Sequence, residues 1–139
     1  MISNADMTIY NKYYDRNLGH DVYLRSYLYS VNWQGSRAVT VNDKGLQTAD
    51  FTEVFTYPDS AINKTYIKPK AWANSDEKEL YFTFNAGDII VKGITDFNLT
   101  GVKPYNLEGL KNTRDDVLTI VSVVDLTDTG LPHWEIGAK

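Results

Sequence analysis

The sequence contains no cysteine and only two histidines among its 139 residues. Without cysteine the chain can form neither disulfides nor thiolate metal sites, so a reducing compartment such as the cytoplasm is expected for its assembly. A zinc site needs several nitrogen or sulfur ligands, and two histidines far apart in the sequence, His20 and His133, do not supply them. The sequence therefore predicts no metal ion and no organic cofactor.

Long apolar runs and clusters of positive charge are also missing. No stretch approaches the roughly 20 apolar residues that cross a bilayer. The first ten residues, MISNADMTIY, lack the basic flank and apolar core of a signal peptide, so neither secretion nor membrane association is expected. The net charge is −4, and the lysines of residues 64–70 are offset by acidic residues at 76–79. Sequence-independent affinity for the DNA backbone is therefore not expected.

No arrangement of residues in the sequence is typical of catalysis. His133 could pair with Asp125 or Asp128 across a hairpin, but an isolated histidine more often has a packing or surface role. The acidic pairs lack the alternating oxygen ligands of a calcium loop. No glycine-rich loop opens a helix, so a phosphate-binding cradle is absent. We predict that the chain is not an enzyme.

The residues that are present favour β-strands. Aromatic residues make up 13% of the chain, and aromatic and branched side chains fit a pleated surface. Residues 21–33 alternate, which predicts one strand face with Tyr23, Arg25, Tyr27, Tyr29, Val31 and Trp33. Turns are predicted at residues 34–36 and 42–45. Further strands are predicted over Met7–Tyr10, Arg37–Val41, Phe51–Tyr57, Val117–Leu126 and Pro132–Ile136.

The stretch Tyr81–Gly93, YFTFNAGDIIVKG, has the pattern of a tight β-hairpin. Two runs of strand formers flank residues 85–88, where Gly87 can adopt a positive φ without steric cost. Val117–Leu126 is the most apolar run and is expected at the centre of the sheet. These assignments place Ile90 and Val121 in the hydrophobic core.

Two long connections, Pro58–Glu79 and Thr95–Asp116, separate the predicted strands. The first is expected to hold a short extended piece at Tyr66–Ile67, and residues 106–112 of the second could form one or two helical turns. The sequence thus predicts a mainly β fold over residues 1–139. This fold is a single small β-barrel or sandwich with the two long loops and at most one short helix.

The two connections contain large apolar side chains, which are costly in water unless something covers them. We therefore predict that they contact a neighbouring subunit or partner and carry assembly. The candidate contact residues are Tyr66, Ile67, Trp72, Phe97, Leu99, Tyr105, Leu107 and Leu110. An alternative role for the aromatic residues is a sugar-binding groove, tested by substitution of Trp33 or Trp72. The residues that could line it are Tyr10, Tyr13, Tyr14, Tyr23, Tyr27, Tyr29, Trp33 and Trp72.

Three stretches, ADMTIYNKY, YFTFNAGDIIVKG and HWEIGAK, resemble a family of small proteins encoded by tailed phages and prophages of Gram-positive bacteria. These lie among head-morphogenesis genes and are similar to minor capsid or head–tail connector ("stopper", head-closure) proteins. The resemblance covers most of the chain, but its motifs are structural, and it supplies no catalytic residues to this sequence.

The resemblance implies a β-barrel subunit that joins a homo-oligomeric ring, six- or twelve-fold, around the DNA channel of the virion neck. Its partners would be other copies, the portal or adaptor proteins, and the tail terminator or tail tube. DNA would pass without sequence-specific binding, and assembly would take place in the host cytoplasm. Alternative functions are a tail terminator or minor capsid protein, a carbohydrate- or host-surface-binding module, and a small hydrolase.

Overall fold

The computed structural model describes residues 3–34, 37–41 and 47–139, which form nine β-strands, two short α-helices and one 3₁₀ turn. The strands are β1 (Ala5–Asp15), β2 (His20–Trp33), β3 (Arg37–Val41), β4 (Gln47–Thr56), β5 (Thr65–Tyr66), β6 (Tyr81–Phe82), β7 (Ile89–Lys92), β8 (Val117–Asp125) and β9 (Trp134–Ala138). The helices are α1 (Pro69–Ala73) and α2 (Leu107–Thr113), and the 3₁₀ turn is Lys78–Leu80.

Six antiparallel strands form a ring in the order β2-β1-β7-β8-β9-β4. The ring closes where β4 pairs with β2, through Asn32 opposite Phe55 and Trp33 opposite Val54. Beyond this closure, β3 pairs with β4 and continues the hairpin away from the ring. The predicted mainly β fold with a barrel is confirmed. The predicted turns at residues 34–36 and 42–45 lie mostly outside the described residues.

The barrel interior is filled by one cluster to which every strand of the ring contributes. Adjacent residues of a strand point to opposite faces, and Ile9, Ile90 and Ile120 of three neighbouring strands all belong to this cluster. Its other fully or nearly fully buried members are Met7, Leu28, Val31, Trp33, Val54, Phe82, Phe84, Trp134, Ile136 and Ala138. The prediction that Ile90 is a core residue is confirmed.

An extra residue in β2 changes which side chains face the interior. Leu28 is buried on one side of the irregularity, and Val31 and Trp33 are buried on the other. The pairing advances by three residues in β2 for two in β1, and Ser30 has a φ of 60°. This is a β-bulge, which shifts the alternation by one position. The prediction that Val31 and Trp33 share a face with Tyr27 is therefore wrong.

The predicted hairpin over residues 81–93 has the correct turn but the wrong pairing. Gly87 takes a φ of 95°, as expected of the turn. However, β6 pairs in parallel with β5, and β7 pairs with β1 and β8. The Asn11 side chain instead donates to the Thr83 carbonyl at 2.7 Å and accepts from the Thr83 amide at 3.3 Å. A side-chain amide has taken the place of a strand partner.

Both helices lie in the long connections, so the prediction of at most one short helix is wrong. Helix α2 agrees with the prediction for residues 106–112, and the Asn106 side chain caps it by accepting from the Gly109 amide at 3.0 Å. Helix α1 begins with Pro69 and buries only Trp72. Five residues with one apolar anchor provide too little periodicity for the helix to be detected in the sequence.

Strand β8 lies between β7 and β9, as expected for the most apolar run. Its two buried residues, Val117 and Ile120, lie in the first half, however, and a second register shift falls between Ile120 and Ser122. Val121 is 41% exposed. The prediction that Val121 is a core residue is wrong.

Candidate assembly surface

The eight apolar residues predicted to make subunit contacts are mostly covered by their own chain. Trp72, Leu99 and Leu110 are buried, and Tyr105 is the one that is largely exposed, at 52%. The remaining four are half-buried, namely Tyr66, Ile67, Phe97 and Leu107. For most of these residues, a neighbouring subunit is therefore not needed to cover the side chain.

The second connection covers an outer wall of the barrel. Leu99 and Leu110 form a cluster with Tyr10, Val91 and other residues that point away from the interior. The Tyr10 hydroxyl donates to the Phe97 carbonyl at 2.7 Å, and burial raises the pKa of Tyr10 to about 12. Residues 95–113 thus act as part of the subunit's own core.

The first connection packs against the barrel core through Tyr66. Its ring centroid lies 4.6 Å from that of Trp134, 5.6 Å from that of Phe84 and 5.8 Å from that of Phe82. Burial is also the main cause of the raised pKa of Tyr66. Farther along, Trp72 meets Tyr13 edge to face at 5.8 Å. Contacts within the chain thus account for this connection as well.

A buried carboxyl group lies beside the junction of these elements. Asp88 is 3% exposed and accepts from the Asn11 side chain at 2.8 Å, the Lys12 amide at 3.0 Å and the Asn85 amide at 3.1 Å. Burial raises the pKa of Asp88 to about 6, although these hydrogen bonds oppose the shift. The adjacent cavity of about 250 Å³ is also lined by Lys12, Lys78 and Trp72. Because Asp88 is held by three donors, we interpret it as a structural group.

The two histidines lie in separate, local environments. His133 Nε2 lies 3.1 Å from a Glu135 carboxylate oxygen, so its carboxylate contact is Glu135 and not Asp125 or Asp128. The Leu131 carbonyl and the Glu135 carboxylate raise the pKa of His133. His20 Nδ1 lies 2.9 Å from the carbonyl of the next residue. Across the described ranges, no group of three or more His, Cys, Asp or Glu side chains is placed to hold a metal ion.

All three tryptophans are buried. Trp33, Trp72 and Trp134 are each at most 5% exposed. Stacking on a sugar ring needs an accessible aromatic face, so the two tryptophans proposed for a sugar groove do not offer one. Within the part of the chain that the structure describes, no helix is long and apolar enough to cross a membrane.

The most unusual feature of the sheet is its extension by β3 and the first half of β4, which we call the ribbon (residues 37–41 and 47–51). Its five pairs run from Arg37 opposite Phe51 to Val41 opposite Gln47. β9 pairs with β4 only over Thr52–Thr56. In the described residues, each strand of the ribbon therefore has a strand partner on one side only.

A second unpaired edge lies on β8. The pairing with β7 covers residues 117–119. Two backbone hydrogen bonds extend it to Ile120: the Gly87 amide donates to the Ile120 carbonyl at 2.9 Å, and the Ile120 amide donates to the Asp88 carbonyl at 2.8 Å. Residues 122–125 then pair with β9 alone among the described strands, and Val121 lies at the register shift between Ile120 and Ser122. The chain before β7 has turned away at this point, so a gap opens beside β8.

This gap forms an open groove of about 450 Å³ along the unpaired edge of β8, which we call the β8 groove. Apolar groups make up much of its lining, namely Tyr66, Pro69, Phe84, Ala86, Val121 and Val123. Lys68 and Asp125 also line it, and hydrogen bonds from Thr127 lower the pKa of Asp125. Val124, on the same strand, is 48% exposed. The groove combines an unpaired strand edge with accessible apolar surface.

Sequence reasoning missed both edges because neither is a property of residue types. The strand assignment for Arg37–Val41 was correct, but its isolation on one side depends on where β1, β2 and β9 end. The exposure of Val121 depends on whether another element covers that face of β8. The adjacent valines at 123 and 124 increased the apolar content that suggested a central strand.

Comparisons with known proteins place the chain in a family. No curated protein and no solved structure matches it. A family model matches residues 2–139. The chain therefore belongs to the family of unknown function DUF6751.

Proposed function

We propose that this protein is a structural subunit of a phage head–tail connector that forms a ring around the DNA channel of the virion neck. The observation that carries the proposal is the ribbon, whose two strands extend beyond the ring of strands and, among the described residues, have a strand partner on one side only. Strands that pair on both sides within a closed ring have no edge to offer for strand pairing. Besides the unpaired part of β8, the ribbon adds two strand edges among the described residues.

The ribbon is too small to be stable through its own pairing. Five residue pairs span roughly 16 Å, and an isolated two-stranded hairpin is marginally stable at best in water. Unpaired N–H and C=O groups along its sides are templates for pairing with another chain. A protein that presents such an extension from a rigid body is suited to assembly.

Among proteins that act by assembly, we favour a connector for two reasons. These are the resemblance to phage head-morphogenesis proteins and the net negative charge of the chain. The net charge of −4 gives the subunit the same sign as DNA, which lets a duplex pass through a channel without sticking. The ring would be six- or twelve-fold, bounded by portal or adaptor proteins and by the tail terminator or tail tube. It would be assembled in the host cytoplasm.

A tail terminator and a minor capsid protein are the alternatives within the same class, because they also assemble through subunit contacts. The position of the protein in the particle separates the three roles. The carbohydrate-binding alternative is weakened by the burial of Trp33 and Trp72. The hydrolase alternative is not favoured by any contact of His20 or His133.

Inactivation of the gene in a phage or prophage that carries it tests the proposal. Electron microscopy of the lysates should then show heads and full-length tails that have not joined. DNA should leak from the heads. Gold labelling of a tagged copy should place the protein at the neck. A chain without residues 37–50, closed by a short turn, should not restore infectious particles. Normal infectivity after inactivation would contradict the proposal.

A further inference from the structure

The ribbon and the β8 groove are complementary in their strand edges, which identifies a contact between two copies of this chain. We infer that β3 of one copy adds as a strand to the unpaired edge of β8 in the next copy. This inference rests on the proposed ring assembly and specifies the surfaces that would build it. The binding mode is strand addition, in which backbone hydrogen bonds provide affinity and side-chain pockets provide specificity.

The two edges match in length. β3 has five residues, Arg37–Val41, and the unpaired part of β8 also has five, residues 121–125. Adding β3 to this edge would extend the wall of the neighbouring barrel at the place where β7 leaves it. The edge of β8 that faces β7 would then be paired over most of its length, by β7 at residues 117–119 and by the incoming β3 at residues 121–125.

The two edges also match in chemistry. Four of the five residues of β3, in the sequence RAVTV, are uncharged. The groove beside β8 is lined on its far side by Tyr66, Pro69, Phe84 and Ala86. An incoming strand would cover this apolar surface and the exposed Val121. Asp125, whose pKa is lowered, is an anion at the end of the edge, and Arg37 is the one cation in β3.

The placement of the edges favours a head-to-tail contact over a symmetric pair. The β3 edge and the β8 edge lie on different strands of the subunit, so one contact leaves the β8 edge of the first copy and the β3 edge of the second copy free. Heterologous contacts of this kind propagate, and they form a ring when the rotation closes. A β3-to-β3 pair would use up the same edge in both copies and stop at a dimer.

Single cysteines distinguish these arrangements, because the natural chain contains none. We would prepare Thr40→Cys in β3, Ser122→Cys in β8, and Asn17→Cys in the β1–β2 turn as a control. A short flexible thiol-specific cross-linker is then added to each variant alone and to mixtures at high protein concentration. The head-to-tail contact predicts a covalent dimer from the mixture of Thr40→Cys and Ser122→Cys, and no dimer from any variant alone. The double variant should give a ladder of covalent multimers.

Lysine substitutions provide an independent measurement without cross-linking. Val124→Lys places a charge beside the β8 edge at a position that is already 48% exposed, and charged residues on an edge strand oppose pairing. Leu131→Lys is the matched control, because Leu131 is 57% exposed in the loop that follows β8. Sedimentation should show that Val124→Lys shifts the protein to monomer, whereas Leu131→Lys retains the wild-type mass distribution.

Three outcomes would overturn the inference. Cross-linking of Thr40→Cys alone, as efficient as that of the mixture, would show a symmetric β3 contact. Absence of any product from the mixture would mean that the β8 groove receives a different protein or nothing. Multimers that survive Val124→Lys would show that copies meet elsewhere. In each case the connector proposal is judged separately, by whether gene inactivation prevents heads from joining tails.

Discussion

Ile90 and Val121 lie on neighbouring strands, but one is buried and the other is exposed. Truncation of the two side chains should therefore change the free energy of unfolding by different amounts. Ile90 is fully buried, so Ile90→Ala should lower the free energy of unfolding by about 2–4 kcal/mol through lost burial and the cavity left behind. Val121 is 41% exposed, and Val121→Ala should change it by less than about 0.5 kcal/mol. Urea denaturation measures both values. Equal losses would mean that the second half of β8 is buried.

Asp88 should make stability depend on pH in the direction opposite to that of a typical carboxylate. Burial raises its folded-state pKa to about 6, above the unfolded value near 3.8. Its contribution is therefore fully present below about pH 4 and is lost as the pH rises through 6, by up to about 3 kcal/mol. The comparison with Asp88→Asn isolates this effect, because asparagine does not titrate.

The expected result is that the stability of the wild type relative to Asp88→Asn falls between pH 4 and pH 7. Chemical denaturation at several pH values measures the difference, and contributions from other carboxyl groups cancel. If the difference instead grows as the pH rises, the three hydrogen bonds to Asp88 outweigh its burial. The carboxylate would then stabilise the fold at neutral pH.

At the scale of single elements, helix α2 contains a glycine that its packing requires. In an exposed helix, replacing Gly109 by alanine would stabilise by roughly 1 kcal/mol. Here a Cβ on Gly109 would overlap the Pro104 carbonyl oxygen. Because a backbone atom cannot yield as a side chain does, we expect Gly109→Ala to destabilise by about 1–3 kcal/mol.

Asn112→Ala is the matched control for the glycine substitution, because Asn112 is exposed on the same helix. Its free energy of unfolding should stay within about 0.5 kcal/mol of the wild type. Thermal denaturation followed by circular dichroism compares the two variants. A stabilised Gly109→Ala variant would show that helix α2 can move away from Pro104.

At the scale of the whole molecule, the ribbon and the second connection should differ in what they contribute to the fold. Replacing residues 37–50 by a short turn removes strands that pair only with each other in the described part of the chain, so the melting temperature should change by only a few degrees. Deleting residues 98–106 removes the buried Leu99 and the capping Asn106. That deletion should lower the melting temperature by at least about 10 °C or prevent folding.

Calorimetry on the purified variants makes this comparison. A second connection that could be deleted without loss of stability would be a peripheral loop and not part of the subunit's core. A ribbon whose removal unfolds the barrel would contradict its assignment as an assembly extension. The contrast between the two deletions is therefore more informative than either one.

The sequence by itself determined the class of the fold and most of its strands. Branched and aromatic runs predicted the strands at Arg37–Val41 and Val117–Leu126. The turn at Gly87 and the helical segment after Asn106 were likewise predictable, because all these features depend on local preferences. The absence of cysteine excluded disulfide and thiolate chemistry from the outset. Residue types along the chain are sufficient for such conclusions, since each concerns a few neighbouring residues.

Only the tertiary structure decided which strands pair, which faces are buried and which edges remain open. The bulge at Ser30 shifts the buried face of β2, and the Asn11 side chain replaces a strand partner for Thr83. These arrangements join residues tens of positions apart, whose meeting no local pattern encodes. The edges of β3 and β8 that have no strand partner in the described part of the chain arise in the same way. An edge exists where neighbouring strands end, which is a property of the closed barrel and not of the residues that form the edge.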